Sequence, residues 1–166
     1  MHYRRAKAPG GTYFFTVVTY ERQPIFSNEK NVVLLRNVIR DVMKKHPFTI
    51  NAFVLLPDHL HCIWTLPEDD CNYSMRWRLI KTYFTRKCQA SIEYKTKSRR
   101  SKKEQCVWQR RFWEHQIIDA TDFKTHLDYI HHNPVKHAYV KSAVEWPYSS
   151  LHKYHKMGVL PGDWNT

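Results

Sequence analysis

The stretch "FTINAFVLLPDHLHCIWTL", residues 48–66, holds two apolar runs separated by Pro57 and Asp58. β-Branched and aromatic residues fill both runs, and the Pro-Asp pair marks a turn, so the pattern predicts two strands joined as a hairpin. Side chains on a strand alternate faces. Leu60, Cys62, Trp64 and Leu66 therefore share one face, the natural core face, while His59 and His61 share the other. Val or Ile would pack there with no polar atom to desolvate. Two same-side imidazoles can jointly hold a divalent metal through one ring nitrogen each, although H-x-H alone is more often a pair of ordinary half-exposed strand histidines.

The elements on either side extend the pattern. "GTYFFTVVTY" (11–20) reads as a strand, and "NEKNVVLLRNVIRDVMKKH" (28–46) as a helix with Val32, Leu35, Val38, Ile39 and Val42 at helical spacing and Asn28 as its N-cap. "SMRWRLIKTYFTRKCQASI" (74–92) predicts a second helix from Ser74. "RFWEHQIID" (111–119) predicts a fourth strand, and "TDFKTHLDYIHHN" (121–133) a third helix stopped by Pro134. The order βαββαβ, followed by a helix, is an α+β arrangement: a ferredoxin-like antiparallel sheet with an additional C-terminal helix. At 166 residues the chain is expected to form one domain, with a less defined tail from about residue 136.

Formal net charge is +12, concentrated in one region. Between Arg76 and Arg111 stand 13 Lys or Arg against two acids, Glu93 and Glu104, a net +11 interleaved with Trp77, Tyr83, Phe84, Tyr94 and Trp108. Such a segment suits a polyanion whose bases can stack, hence nucleic acid and single strands above all. The same charge is equally read as a solvated loop, "KTKSRRSKKEQ". No segment has the ~18 apolar residues of a membrane span, and no secretory leader is evident, so the expected location is cytoplasmic. Cys62, Cys71, Cys88 and Cys106 are scattered, which favours free thiols over a zinc knuckle or a disulfide frame.

The third helix carries two stripes. Phe123, Leu127 and Ile130 form the packing face, and Asp122, His126, Tyr129 and Asn133 a polar one. Tyr129 and Asn133 are thus neighbours, a phenol beside a carboxamide. Taken alone, that is also a packing aromatic and a helix-terminal Asn. Glu114 and His115 in "FWEH" are expected to make a structural hydrogen bond.

Together these residues resemble a known family. "HLHCIW" is similar to the His–hydrophobic–His motif of the HUH single-strand DNA endonucleases, and "DYIHHNPVKHAYV" to the tyrosine helix of the REP-associated tyrosine transposases. "GGTYFFTVVTY", "RWRLIKTYFT", "WQRRFWEHQIID" and "EWPYSS" extend the likeness nearly end to end. The resemblance implies a metal pair at His59 and His61, with Asn133 as third ligand and His126 or His132 as alternatives. It implies Tyr129 as the nucleophile, Mg²⁺ or Mn²⁺ as the cofactor, and no nucleotide cofactor. The substrate it implies is single-stranded DNA beside a repetitive extragenic palindromic (REP) hairpin, cleaved and rejoined through a 5′-phosphotyrosine. Arg76, Arg78, Lys81, Arg86, Arg110 and Arg111 are then the candidates for the stem phosphates, with Arg4 and Arg5 as an N-terminal arm. Two alternatives stay open: a non-catalytic nucleic-acid-binding module on the same fold, and a phosphodiesterase with paired H-x-H motifs, which would need a second motif the chain lacks. Monomer and homodimer are both compatible with the sequence.

Overall fold

The structure, a computed structural model, describes residues 5–88 and 107–158. Strand β1 (Thr12–Val18) leads through two short 3₁₀ turns into α1 (Glu29–Lys45), whose N-cap Asn28 accepts from the Lys30 N–H. The predicted hairpin follows as β2 (Thr49–Leu55) and β3 (His59–Thr65), then α2 (Tyr73–Lys87), β4 (Trp113–Gln116), α3 (Ala120–Lys136) and a short α4 (Leu151–Lys156). The sheet is antiparallel with order β2-β3-β1-β4, the ferredoxin-like arrangement. No helix among the described residues is long and apolar enough to cross a membrane.

Alternation along the strands builds two cores. Tyr13, Phe15 and Val17 of β1 and Leu60, Cys62 and Trp64 of β3 face α1 and α2, where they meet Val32, Leu35, Val38, Trp77, Ile80 and Phe84. Trp64 and Trp77 stack with ring centroids 4.2 Å apart. On the other face Phe14, Ala52, Val54 and Ile63 pack against Leu127 and Ile130 of α3. The sheet is therefore covered on both sides. This explains why β3 is almost continuously apolar, and why His59 and His61 are each only 4% exposed rather than half-exposed.

Three elements, α2, β4 and α3, differ in their bounds from the sequence expectation. α2 starts one residue before Ser74, because Asn72 rather than a serine caps it, accepting from the Met75 N–H. It ends at Lys87, with Cys88 extended; residues 89–106, including the whole basic loop "KTKSRRSKKEQ", lie outside the described residues. β4 is shorter than 111–119, because Ile117 N–H still bonds to Thr12 but Ile118 N–H turns to the Asp122 carboxylate at the start of α3. Pro134 does not stop α3. It removes one N–H in the last turn, and the helix closes beyond it through His137 N–H to Asn133 O and Tyr139 N–H to Pro134 O.

The tail, for which the sequence predicts no definite structure, lies along the β2 edge. Leu55 N–H bonds to Tyr148 O, Ser150 N–H to Phe53 O, Phe53 N–H to Ser150 Oγ, and the Trp146 indole N–H to Leu55 O. A sheet edge is a template for unwanted pairing; here the chain's own tail satisfies it. Cys62 and Cys71 are free thiols, Cys88 Sγ lies 3.7 Å from Asn31 Oδ1, and Cys106 lies outside the described residues.

Candidate active site

Each histidine of β3 is fixed through the same ring nitrogen. The β1–β3 register sets Thr16 opposite His61, and Thr16 Oγ1 lies 2.8 Å from His61 Nδ1. His59 Nδ1 lies 2.6 Å from Oδ1 of Asp58, the hairpin-turn residue immediately before it. Both rings then present Nε2, and their centroids are 4.9 Å apart. Burial, with the neighbouring His59, His137, Lys136 and Arg22, pushes the His61 pKa down to about 3, so its imidazole is neutral and holds a lone pair at neutral pH. Burial raises the Asp58 carboxyl, but the His59 and Arg22 contacts outweigh it and leave the pKa below the usual carboxylate range.

α3 supplies the opposite wall. The Tyr129 ring centroid stands 5.1 Å from that of His61, nearly perpendicular to it, and Tyr129 is 37% exposed. Lys136 Nζ sits 4.9 Å from the Tyr129 ring centroid, and the His137 ring is 5.1 Å from His59. These side chains, with Arg22, Trp113 and His126, line an open cleft of about 480 Å³. Arg22 reaches it from a turn in which Glu21 and Arg22 both have φ of 52°, a left-handed backbone that non-glycine residues rarely adopt, and its guanidinium is tied to Asp58 at 3.3 Å.

Two polar groups here lack hydrogen-bond partners among the described residues. His61 Nε2 is buried and unpaired, and so are both carboxamide atoms of fully buried Asn133. Asn133 falls on α3 between Tyr129 and His137, both of which line the cleft. Buried polar atoms are ordinarily paired. Two imidazoles and a carboxamide oxygen form a donor set suited to a divalent cation, so the residues present fit such an ion.

The sequence places His59, His61 and Tyr129 at one site, and the structure brings them together within one chain. The spacing does not point to Thr16, Asp58, Arg22, Lys136 or His137, which also shape the cleft. Of these, Asp58 is legible as the acid directly preceding His59; Thr16 depends on strand register and is not.

The basic residues fare differently. Arg76 is corrected: it is 1% exposed, and its guanidinium donates to the carbonyls of His46, Pro47 and Asn72 and to Asp70 Oδ2 at 2.8–3.1 Å. It clamps α1 to α2 and offers nothing to a phosphate. Arg5 pairs with Glu114 at 2.8 Å and lies over Phe112, which is the structural hydrogen bond expected of Glu114. Lys81 donates to Gln109 O, while Arg78, Arg86, Arg110 and Arg111 are exposed. Arg78 and Arg86 sit on α2, in the layer across the sheet from the cleft. Arg4 lies outside the described residues.

Known proteins resemble this chain over nearly its whole length. Residues 9–133 match the family model described as "Transposase IS200 like". The REP-associated tyrosine transposase of Escherichia coli (strain K12) is 43% identical over 163 residues, covering 98% of this chain and 89% of that protein. A relative from Haemophilus influenzae is 42% identical over 163 residues, covering 98% of this chain and 92% of its own. A solved REP-associated tyrosine transposase bound to a REP hairpin superposes with a TM-score of 0.85 at 43% identity, covering 99% of this chain and 90% of that one. The chain belongs to the IS200-like transposase family, among its REP-associated tyrosine transposases.

Proposed function

We propose that this chain is a divalent-metal-dependent single-strand DNA endonuclease and strand transferase that acts on REP hairpins, with Tyr129 as its nucleophile. The observation that carries the reading is the placement, in one cleft, of a partly exposed Tyr129 opposite two Nδ1-anchored imidazoles, one with a buried Nε2 unpaired among the described residues. The hairpin substrate comes from the solved relative, which holds one.

His59 and His61, with Asn133 as third donor, would hold Mg²⁺ or Mn²⁺, which when bound polarises a non-bridging phosphate oxygen. Thr16 and Asp58 orient the two imidazoles, as carboxylate and hydroxyl partners do behind metal-binding histidines. Arg22 and Lys136 place positive charge around the cleft for the phosphate. Tyr129 Oη attacks phosphorus, the P–O3′ bond breaks, and the products are a 5′-phosphotyrosine and a free 3′-hydroxyl. The phosphotyrosine conserves the diester's reactivity, so a second 3′-hydroxyl can displace Tyr129 and join strands without a nucleotide cofactor.

The test is incubation with labelled hairpin DNA carrying a single-stranded flank, with Mn²⁺ or Mg²⁺, followed by denaturing electrophoresis. A covalent adduct is expected from the wild type, and none from Tyr129→Phe, from His61→Ala, or with chelator. Hairpin binding without adduct in every protein would instead favour a binding module.

A further inference from the structure

A cluster beside the nucleophile is not used by the chemistry above. Asp122 forks between two imidazoles: His115 Nε2 on β4 lies 2.8 Å from its Oδ2, and His126 Nδ1 on α3 lies 3.0 Å from its Oδ1. The two rings stack with centroids 4.6 Å apart and planes 16° apart. Lone pairs lying in two near-parallel, stacked planes do not converge on one ion, so the geometry opposes a metal here although the three residues are of ligand type. His126 Nδ1 is also 2.9 Å from the Asp122 main-chain carbonyl. A carbonyl only accepts, so Nδ1 carries the hydrogen and Nε2 is the proton-accepting nitrogen of the neutral ring. His126 lines the same cleft as Tyr129, three residues before it on the helix, and both rings pack on Phe14 with centroids 4.8 and 5.9 Å away.

We propose that His126 is the proton carrier for Tyr129, with Asp122 as its positioning residue and His115 as the second arm of the clamp. This deepens the nucleophile reading and rests on it. In cleavage, the Tyr129 phenol proton passes to His126 Nε2, directly or through one water, as the P–Oη bond forms. The P–O3′ bond breaks, and the departing 3′ oxygen takes its proton from solvent. In joining, the attacking 3′-hydroxyl loses its proton to solvent as the P–O3′ bond forms, the P–Oη bond breaks, and the His126 imidazolium returns a proton to the departing Tyr129 oxygen. A carboxylate on one imidazole nitrogen stabilises the imidazolium that forms when the other accepts a proton. The other charged and titratable groups around His126 are His115 on β4, His59 and His61 on β3, Arg22 on the turn after β1, Tyr129 and Lys136 on its own helix, and His137 just beyond it. Of these, His61 titrates far below neutrality.

The two directions therefore have opposite pH requirements, which a structural role would not produce. Single-turnover cleavage and joining are measured across pH for wild type, His126→Gln, Asp122→Asn, and His126→Ala with and without added imidazole. For wild type, cleavage falls on the acid side and joining falls on the alkaline side. In His126→Gln both rates drop roughly 10²- to 10⁴-fold and both limbs vanish. Imidazole restores His126→Ala. Asp122→Asn, whose carboxamide oxygen still accepts from Ile118 N–H, shifts the acid limb to lower pH. An adduct that forms in His126→Gln with wild-type limbs overturns this assignment while leaving Tyr129 in place. Absence of an adduct from the wild type overturns the nucleophile reading and this one together.

Discussion

Thr16 and Trp113 face each other across the β1–β4 register, and each touches the site without doing its chemistry. Thr16 Oγ1 is the partner of His61 Nδ1. Replacing it with the isosteric valine keeps the packing but releases the ring, so Thr16→Val is expected to weaken Mn²⁺ binding by roughly 10- to 100-fold in calorimetric titration, with the melting temperature little changed. Unaltered affinity would mean that the ring is held by packing alone. Trp113 is 59% exposed at the rim of the cleft, an unusual position for an indole. A base flanking the scissile phosphate can stack on it. Trp113→Ala should cost roughly 1–3 kcal/mol of affinity for the single-stranded flank and leave duplex-stem binding intact, as read by fluorescence anisotropy. At this scale the sequence is legible where chemistry sits on local spacing. H-x-H on a strand and Tyr129 one turn before Asn133 on a helix stand out from the order of residues alone. Arg76 does not, because a basic residue in a basic segment looks like every other; only the four acceptors around it show that it is a buried clamp.

At the level of elements, the edge of β2 decides how the chain ends. Ser150 Oγ accepts the Phe53 N–H and meets His131 Nε2 at 2.8 Å, so one hydroxyl ties the tail to both the sheet and α3. Ser150→Ala leaves the Phe53 N–H, on a half-buried residue, without that acceptor, which is expected to cost roughly 1 kcal/mol in denaturant unfolding. A change within ±0.5 kcal/mol would show the tail to be docked by apolar contacts instead. The strands and helices themselves are legible, because their periodicity is enforced by burial on known faces. The tail is not, since its order comes from main-chain bonds to a strand about a hundred residues earlier, and main-chain bonding leaves no side-chain pattern. The same reason explains why Pro134 misleads. A proline's local cost is visible in sequence, whereas the fully buried packing of Ile130, His131 and Asn133 that holds the last turn is not.

For the whole molecule, buried neutral imidazoles make stability depend on pH in a definite order. Burial depresses His131 to about 4 and His61 to about 3, against an ordinary value of 6.5. Between those folded values and 6.5 the unfolded chain binds more protons than the native one, so stability rises with pH across that window and falls as acid is added. Below the folded values the native state is protonated as well, and the loss from these groups is complete. The His131 shift corresponds to roughly 3 kcal/mol at full effect. The carboxyls of Asp58 and Asp70 are held below the ordinary 3.8 by their partners, Asp58 against its own burial and Asp70 by Arg76, so their contribution persists through most of the histidine window and is lost as pH falls below 3.8. Unfolding free energy measured from pH 8 downward should therefore be flat to about 6.5, decline through pH 5, and steepen again below 4. His131→Asn should remove much of the first decline and leave the second. A curve that stays flat to pH 4 in the wild type would show that these imidazoles take up protons in the fold without penalty, and that the cleft is wetter than its buried histidines indicate.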